Sequence, residues 1–184
     1  MKTKDTKERT VVFIDGPNLY STIKLLNFDL DYISLKEFFD TEYNLLRANY
    51  YTTIVDSTDF SPIRPLVDFL DYNGYSVIKK QAKEIIDQTT GAKRIKGSID
   101  VDIAVDMIKA AMTGRIDHIV LMSGNGDFKS AVKAVQDLGV KVTVISTIKA
   151  DGFILSDDLR RQVDDMVDLS TIQKKVSRAF AREE

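Results

Sequence analysis

The chain has 184 residues but no cysteine, and its only histidine is His118. Because the chain has no thiol group, it cannot form disulfide bonds, use thiol catalysis or bind zinc through cysteine. A single histidine also excludes a histidine-rich metal site. Any metal ion that this protein holds is therefore expected to be bound through oxygen atoms.

Long apolar runs and a strong net charge are also missing. No stretch approaches the roughly 20 apolar residues that a membrane-spanning helix needs, and the charged start, Met1 to Thr10, has no signal-peptide core. We therefore expect a soluble, cytoplasmic protein with no membrane partner. A net charge of -2 argues against a general nucleic-acid coat protein. The charge is nevertheless uneven, because residues 79–96 form a basic stretch that includes Lys93, Arg94 and Lys96.

Short β-type apolar runs alternate with helix-like segments, which is typical of an α/β fold. The strands are predicted at residues 11–15, 48–55, 75–79, 118–122 and 140–145. The helices are predicted at about 62–73, 98–113 and 127–138, with a shorter one that Ser34 caps and that ends near Phe39. Residues 82–97 lack periodicity and are predicted to form an excursion or hairpin near the site.

Three separated stretches each end an apolar run with an acidic or amide residue: 11–18 (VVFIDGPN), 96–102 (KGSIDVD) and 119–128 (IVLMSGNGDF). The first and third are typical of buried parallel strands that reach their carboxyl ends, where open α/β sheets place their sites. Carboxylates gathered there repel one another unless a hard divalent cation compensates. The pattern therefore predicts a Mg²⁺ or Mn²⁺ site.

Helical spacing separates the acids of the middle stretch. Asp100 shares a face with the apolar positions 103, 104, 107 and 111, so it should point inward from the first turn. Asp102, Asp106 and Lys109 form a second stripe, which is interpreted as a solvated face.

Each candidate also has a purely structural interpretation. Asp100 could simply favour a helix N-terminus, and Asp15 could be a helix cap or turn residue. The segment 123–127 could be a glycine turn followed by an aspartate cap. His118 is interpreted as a surface or edge residue. The tyrosine pair Tyr50-Tyr51 is most simply part of the core, and nucleobase stacking is the less favoured alternative.

The glycines do not match a dinucleotide or nucleoside-triphosphate fingerprint. Instead, residues 13–18 (FIDGPN), 96–107 (KGSIDVDIAVDM) and 123–128 (SGNGDF) resemble, in order, the three signatures of NYN domains, in the LabA-like branch of the PIN-like nuclease superfamily. Residues 159–169 also resemble the closing segment of that family. The resemblance implies a domain over residues 11–169, with a charged tail over 1–10 and a C-terminal helix or tail over 170–184.

The resemblance implies a three-layer α/β/α, PIN-like fold with a mostly parallel central sheet, and metal-dependent hydrolysis of RNA. Asp15, Asp100 and Asp127 match the acidic metal ligands, while Asn18 and Ser123 match catalytic positions that orient water or phosphate. Asn125 departs from the family, which commonly has aspartate there, so this site carries one negative charge fewer.

In this interpretation one Mg²⁺ or Mn²⁺ is held mainly by Asp15 and Asp127, with Asp100 bound directly or through water. Asn125 and the basic residues Lys93, Arg94 and Lys96 would contact the RNA substrate. Two other classes stay open: a weak or inactive RNA-binding regulatory module, and a small phosphatase or phosphotransferase. The phosphatase class usually has Asp-x-Asp after the first strand, whereas this chain has Asp15-Gly16-Pro17. A homodimer is also left open.

Overall fold

A computed structural model of the chain describes residues 7–55, 63–86, 93–96, 98–149 and 155–178. The strands are β1 (Arg9–Asp15), β2 (Asn44–Val55), β3 (Ser76–Ile86), β4 (Lys93–Lys96), β5 (His118–Met122), β6 (Lys141–Ser146) and β7 (Asp165–Asp168). The helices are α1 (Gly16–Leu25), α2 (Tyr32–Glu42), α3 (Arg64–Tyr72), α4 (Asp100–Met112), α5 (Lys129–Asp137), α6 (Asp157–Gln162) and α7 (Leu169–Val176).

The strands form one sheet in the order β4-β3-β2-β1-β5-β6-β7. Six of them are parallel, and in the central pairs Val12 of β1 lies opposite Ala48 of β2 and Val120 of β5. Strand β4 pairs antiparallel with the far half of β3, as expected for the predicted hairpin at 82–97, although residues 87–92 lie outside the described part. The predicted mostly parallel α/β sheet is confirmed.

Alternate residues of the central strands face two separate apolar cores, which makes the protein a three-layer α/β/α structure. On one face, Phe13 and Leu121 belong to the core that contains buried residues of α4, α5 and α6. On the other face, Val12 and Ile14 belong to the core that contains buried residues of α1, α2, α3 and α7. Strands buried on both faces explain why their sequences are continuous apolar runs.

Helix α2 begins earlier than the sequence prediction. Helix α2 is capped by Asp31, whose carboxylate accepts the Ile33 N–H at 2.9 Å, and Ser34 lies inside the first turn. The prediction that Ser34 is the cap is therefore wrong, and the helix continues to Glu42. Helix α1 begins directly after β1 without a loop, with Pro17 in its first turn.

The described part of the chain ends with α6, β7 and α7, and for residues 170–184 the sequence prediction left a helix or a tail open. Helix α7 buries Leu169, Ile172 and Val176 in the core that it shares with α2. Its end is also tied to α2, because the Asp31 N–H donates to the Val176 carbonyl at 2.8 Å. The last helix therefore belongs to the folded core.

His118 corrects another prediction, because it is only 1% exposed. It begins β5 in the middle of the sheet, where β1 and β6 flank it and the Tyr43 ring lies 5.3 Å from its own. Its ring nitrogens lie 3.2 Å from the Thr10 hydroxyl and 2.8 Å from the Thr143 hydroxyl. Burial lowers the pKa of His118, which favours the neutral ring.

Among the described residues, no helix is both long and apolar enough to cross a membrane.

Candidate active site

Three chain segments meet at the carboxyl edge of the sheet, between β1 and β5. Asp15 is the last residue of β1, Ser123 follows β5, and Asp100 is the first residue of α4. The order of the strands reverses at this point, because β2 lies on one side of β1 and β5 on the other. Crevices at such a reversal are the usual binding sites of open α/β sheets.

Asp15 is the buried centre of this arrangement, with 4% of its surface exposed. One carboxylate oxygen accepts the Asn18 N–H at 3.1 Å, so Asp15 caps α1. The other accepts the Ser123 hydroxyl at 2.8 Å. Burial raises the pKa of Asp15, the two hydrogen bonds oppose that shift, and the negative charge of Asp100 adds to it. The cap interpretation and the site interpretation therefore both apply to Asp15.

Asn18 joins the first motif to the third. Its side-chain oxygen accepts the Gly124 N–H at 3.0 Å, which fastens the glycine segment onto the first turn of α1. Through this oxygen, Asn18 therefore positions the loop.

Asn125 joins the third motif to the second. Its amide nitrogen donates to a carboxylate oxygen of Asp100 at 3.3 Å, and its backbone N–H donates to the Ser123 hydroxyl oxygen at 3.1 Å. Asp100 is also fixed through its backbone, because its N–H donates to the Ser98 hydroxyl oxygen at 3.1 Å. Position 125 therefore faces the acidic centre, where an aspartate would add a third carboxylate.

Asp127 does not join Asp15 and Asp100 in a metal-binding group of the described residues. It is exposed, within a single 3-10 turn (Gly126–Phe128), and its N–H donates to the Asn125 side-chain oxygen at 3.0 Å. In the part of the chain that the structure describes, no three Asp, Glu, His or Cys side chains form a group that could hold a metal ion. The expected cluster of three carboxylates is therefore not assembled. Asp15 and Asp100 form the acidic pair, and the role of Asp127 stays a prediction.

The donor chemistry of this edge nevertheless suits a hard divalent cation. Asp15, Asp100 and Ser123 offer carboxylate and hydroxyl oxygens, and the chain has no cysteine that could bind a softer metal. The negative charge of Asp100 helps to raise the pKa of Asp15, so the ionised Asp15 would gain from a cation placed between the two carboxylates. The residues present thus fit Mg²⁺ or Mn²⁺ in ligand type, with two acidic ligands instead of three.

The second acidic stripe of α4 points elsewhere, as its helical spacing predicts. Asp102 pairs with Lys80 at 2.6 Å, and Asp106 pairs with Lys109 at 3.4 Å. Asp106 also accepts the Tyr51 hydroxyl at 3.1 Å, a contact that the spacing does not reveal. These acids are engaged in surface pairs and in a tyrosine contact.

The basic stretch is divided between two strands. In β3, Lys79 pairs with Asp71 at 3.6 Å, and Lys80 is held by Asp102. Strand β4 contains Lys93, Arg94 and Lys96, whose side-chain positions lie outside the described part of the structure. Their contact with a substrate stays a prediction.

A cavity of about 350 Å³ opens beside Asp15, and the sequence prediction missed it. Its described lining residues are Gly16, Pro17, Tyr20, Tyr32, Tyr50, Thr52, Thr53, Ile63 and Leu66. The sequence carried two signals: Pro17 and Tyr20 lie three residues apart on one helix, and nucleobase stacking was the less favoured alternative for the pair Tyr50-Tyr51. The other lining residues come from β2, α2 and the start of α3, and only the tertiary structure brings them together.

Sequence comparison gives a consistent set of relatives. The NYN domain family model matches residues 9–170. The low amplitude and bright protein LabA of Synechococcus elongatus is 31% identical over 173 residues, which cover 92% of this chain and 88% of that protein. The uncharacterized protein MJ0482 of Methanocaldococcus jannaschii is 28% identical over 141 residues, or 76% of this chain and 48% of that longer protein.

Structural comparison agrees. The crystal structure of VPA0982, a protein of unknown function from Vibrio parahaemolyticus, superimposes with a TM-score of 0.71 and 26% sequence identity. The match covers 97% of this chain and 100% of that one, so the two share the whole fold.

Proposed function

This chain belongs to the NYN domain family, and from that premise we propose that it is a metal-dependent ribonuclease. One observation carries the proposal: three separate motifs place Asp15 and Asp100 at the carboxyl edge of a parallel sheet, where Ser123, Asn18 and Asn125 hold them by hydrogen bonds. Two negative carboxylates held close together, one of them buried, destabilise the protein unless a cation balances their charge.

In this proposal Asp15 and Asp100 hold Mg²⁺ or Mn²⁺, and Asp127 contributes from the exposed turn. When bound, the ion supplies a Lewis acid that activates water and neutralises charge on the phosphodiester. Ser123 keeps the Asp15 carboxylate oriented through its hydroxyl, and Asn18 fixes the glycine segment by accepting the Gly124 N–H. The amide hydrogens of Asn18 and Asn125 orient the phosphate or the attacking water.

The proposed partner is RNA in the cytoplasm. Lys93, Arg94 and Lys96 on β4 would follow the RNA backbone at the far edge of the sheet. A homodimer stays a prediction, which analytical ultracentrifugation of the purified protein would test.

The test is to incubate the protein with labelled single-stranded RNA, structured RNA and DNA, in Mn²⁺, Mg²⁺ or EDTA. We expect RNA cleavage with either metal and none in EDTA, because unbalanced carboxylates would repel the phosphate. Asp100→Asn should reduce the rate by at least a hundredfold, the usual scale for a residue that stabilises developing charge.

Asp106→Asn is the matched control, since it changes the same residue type on the same helix but on the face that contacts Tyr51. Its rate should stay within about threefold of native, because an amide still accepts the Tyr51 hydroxyl. Equal loss in both variants would contradict the assignment of Asp100, and cleavage that survives EDTA would contradict the metal.

The second candidate is an RNA-binding regulatory module without turnover. Two observations favour this candidate. Position 125 carries an amide, and the described acids form a pair and not a group of three, so less negative charge is available to hold a metal. This candidate predicts RNA binding with no cleavage products under any metal condition. Product analysis in the same assay therefore separates the two functions.

A further inference from the structure

We propose that the cavity beside Asp15 is a nucleobase pocket that binds the RNA base next to the phosphate at the acidic pair. The identity of the ligand rests on the proposed function. The pocket itself is a feature of the protein, with a volume of about 350 Å³ that suits a nucleoside.

The position of the cavity ties it to the acidic pair. Gly16 and Pro17 line it, and they directly follow Asp15 in the chain. Gly16 also brings the backbone close to Tyr50: a Cβ atom at position 16 would lie 2.7 Å from the Tyr50 hydroxyl. A base in the cavity would therefore lie next to the carboxyl end of β1, where Asp15 is the last residue of the strand.

The residues that line the cavity favour the binding of a neutral, planar group. Three tyrosine rings line the cavity together with the hydroxyl-bearing Thr52 and Thr53, and none of its described lining residues is charged. Among these described residues a phosphate group would find no cation, whereas a base would find rings to stack on and hydroxyl groups that donate and accept hydrogen bonds.

Tyr20 is the residue that a purely structural role does not explain. Tyr50 is 2% exposed and fills the core, but Tyr20 leaves 53% of its surface open. Lys24 lies one turn later on α1, with its ammonium 4.5 Å from the centroid of the Tyr20 ring. An exposed ring with an adjoining cation is how proteins stack a base while they attract the neighbouring phosphate.

The other rings are held rigidly. Tyr32 meets Tyr50 edge-on with centroids 5.9 Å apart, and it meets Tyr75 in the same way at 6.3 Å. The Tyr75 hydroxyl donates to the Tyr32 carbonyl at 2.6 Å, which fixes the start of α2 against the sheet. The floor of the pocket is thus preorganised, and Tyr20 is its adjustable outer wall.

The test uses two fluorescein-labelled RNAs, hexaadenylate and hexaadenylate with one central abasic residue. Binding is measured by fluorescence anisotropy with Ca²⁺ and again with EDTA, so that the result does not depend on cleavage. Tyr20→Ala should weaken hexaadenylate binding about tenfold, the scale of one lost stacked base. Tyr20→Phe should bind like the native protein, because it keeps the ring.

Tyr72→Ala is the matched control, since Tyr72 is a 91% exposed tyrosine on α3 that does not line the cavity. It should bind as the native protein does. With the abasic RNA, native protein and Tyr20→Ala should bind more nearly alike, because one base fewer can occupy the pocket.

An equal loss in Tyr20→Ala and Tyr72→Ala, or no loss in either, would overturn the pocket while metal-dependent cleavage could still hold. Conversely, a Tyr20-dependent and base-dependent affinity without any cleavage would support the pocket and reject the ribonuclease. A loss in Tyr20→Ala that is undiminished on the abasic RNA would also overturn the proposal, since a base would then not be the group bound.

Discussion

Asp15 meets two demands with one carboxylate. It caps α1 through the Asn18 N–H, and it lies buried beside the like charge of Asp100. The cap and the Ser123 hydroxyl stabilise the ionised form, while burial opposes it, and burial is the larger effect because the pKa of Asp15 is raised. The ionised Asp15 therefore lowers the free energy of unfolding, and a substitution that removes its charge should raise it.

We expect Asp15→Asn to stabilise the metal-free protein at pH 7 by about 0.5–2 kcal/mol. An acid whose pKa is raised on folding makes stability fall as pH rises from its unfolded value of 3.8 through its folded value, and the full cost is present above both. Urea unfolding at pH 4 and pH 7 should therefore show the gain mainly at pH 7. The exposed Asp127→Asn should change stability by less than about 0.5 kcal/mol, and an equal gain there would contradict burial as the cause.

Asn125→Asp should strengthen divalent-metal binding, and it should raise the cleavage rate at limiting Mg²⁺ if the protein is a slow nuclease. The substitution replaces the amide that donates to Asp100 at 3.3 Å with a third carboxylate. Without metal, repulsion between the new carboxylate and Asp100 should lower the thermal unfolding midpoint. Calorimetric metal titration measures the affinity. Unchanged affinity would mean that this side chain turns away from the ion.

At the scale of elements, the site depends on how closely α1 follows β1. Asp15 ends the strand, Gly16 begins the helix, and no loop residue separates them. This junction keeps the capping carboxylate at the sheet edge and places Pro17 and Tyr20 along the cavity wall. Helix α4 also brings an acid to this edge, because its first residue is Asp100 and its buried stripe Ile103, Met107 and Ala111 fixes its rotation.

Gly16→Ala should destabilise the protein by roughly 1–3 kcal/mol, the usual cost of overpacking. The new methyl group would lie 2.7 Å from the Tyr51 carbonyl oxygen and 2.7 Å from the Tyr50 hydroxyl, and the carbonyl cannot move without disturbing β2. Gly114→Ala is the comparison, since its φ of +63° is strained but nothing lies within 4 Å, so about 1 kcal/mol is expected. Denaturant unfolding should rank Gly16→Ala as the worse variant.

At the scale of the whole molecule, both faces of the sheet are buried, so even the polar residues within the strands become core residues. His118, Thr10 and Thr143 form a polar row that crosses β5, β1 and β6 inside the sheet. The His118 ring hydrogen-bonds to both threonine side chains, but burial makes protonation of the imidazole to its positively charged form unfavourable. Stability in mild acid is therefore a property of the assembled sheet.

We expect stability to fall as the pH drops from 7.5 to 5.5, and His118→Gln to lose most of that dependence. A base whose pKa is lowered on folding is protonated first in the unfolded chain, so stability is lost as pH falls from about 6.5 through the folded value. The raised pKa of Asp15 makes stability change with pH in the opposite direction. The contribution of His118 is therefore measured as the difference between the native protein and His118→Gln. Urea midpoints across this range provide the measurement.

Asp117→Asn serves as the control for that experiment. Arg9 lowers the pKa of Asp117 to about 2, so its contribution is lost only as pH falls below about 3.8. The slope between pH 5.5 and 7.5 should stay native in this variant. A native slope in His118→Gln as well would show that another group controls stability in this range.

Sequence alone determined the fold class and the motifs, because both are written in local patterns. Apolar runs buried on both faces identify parallel strands, and the 3.6-residue period separates Asp100 from Asp106. Tertiary structure decided what local patterns do not encode: that His118 lies in the core, that Asp127 is exposed while Asn125 donates to Asp100, and that tyrosines from α1, α2 and β2 enclose one cavity. Each of these depends on residues far apart in the chain, whose distances are set by the packing of helices on the sheet and by no periodicity within a single segment.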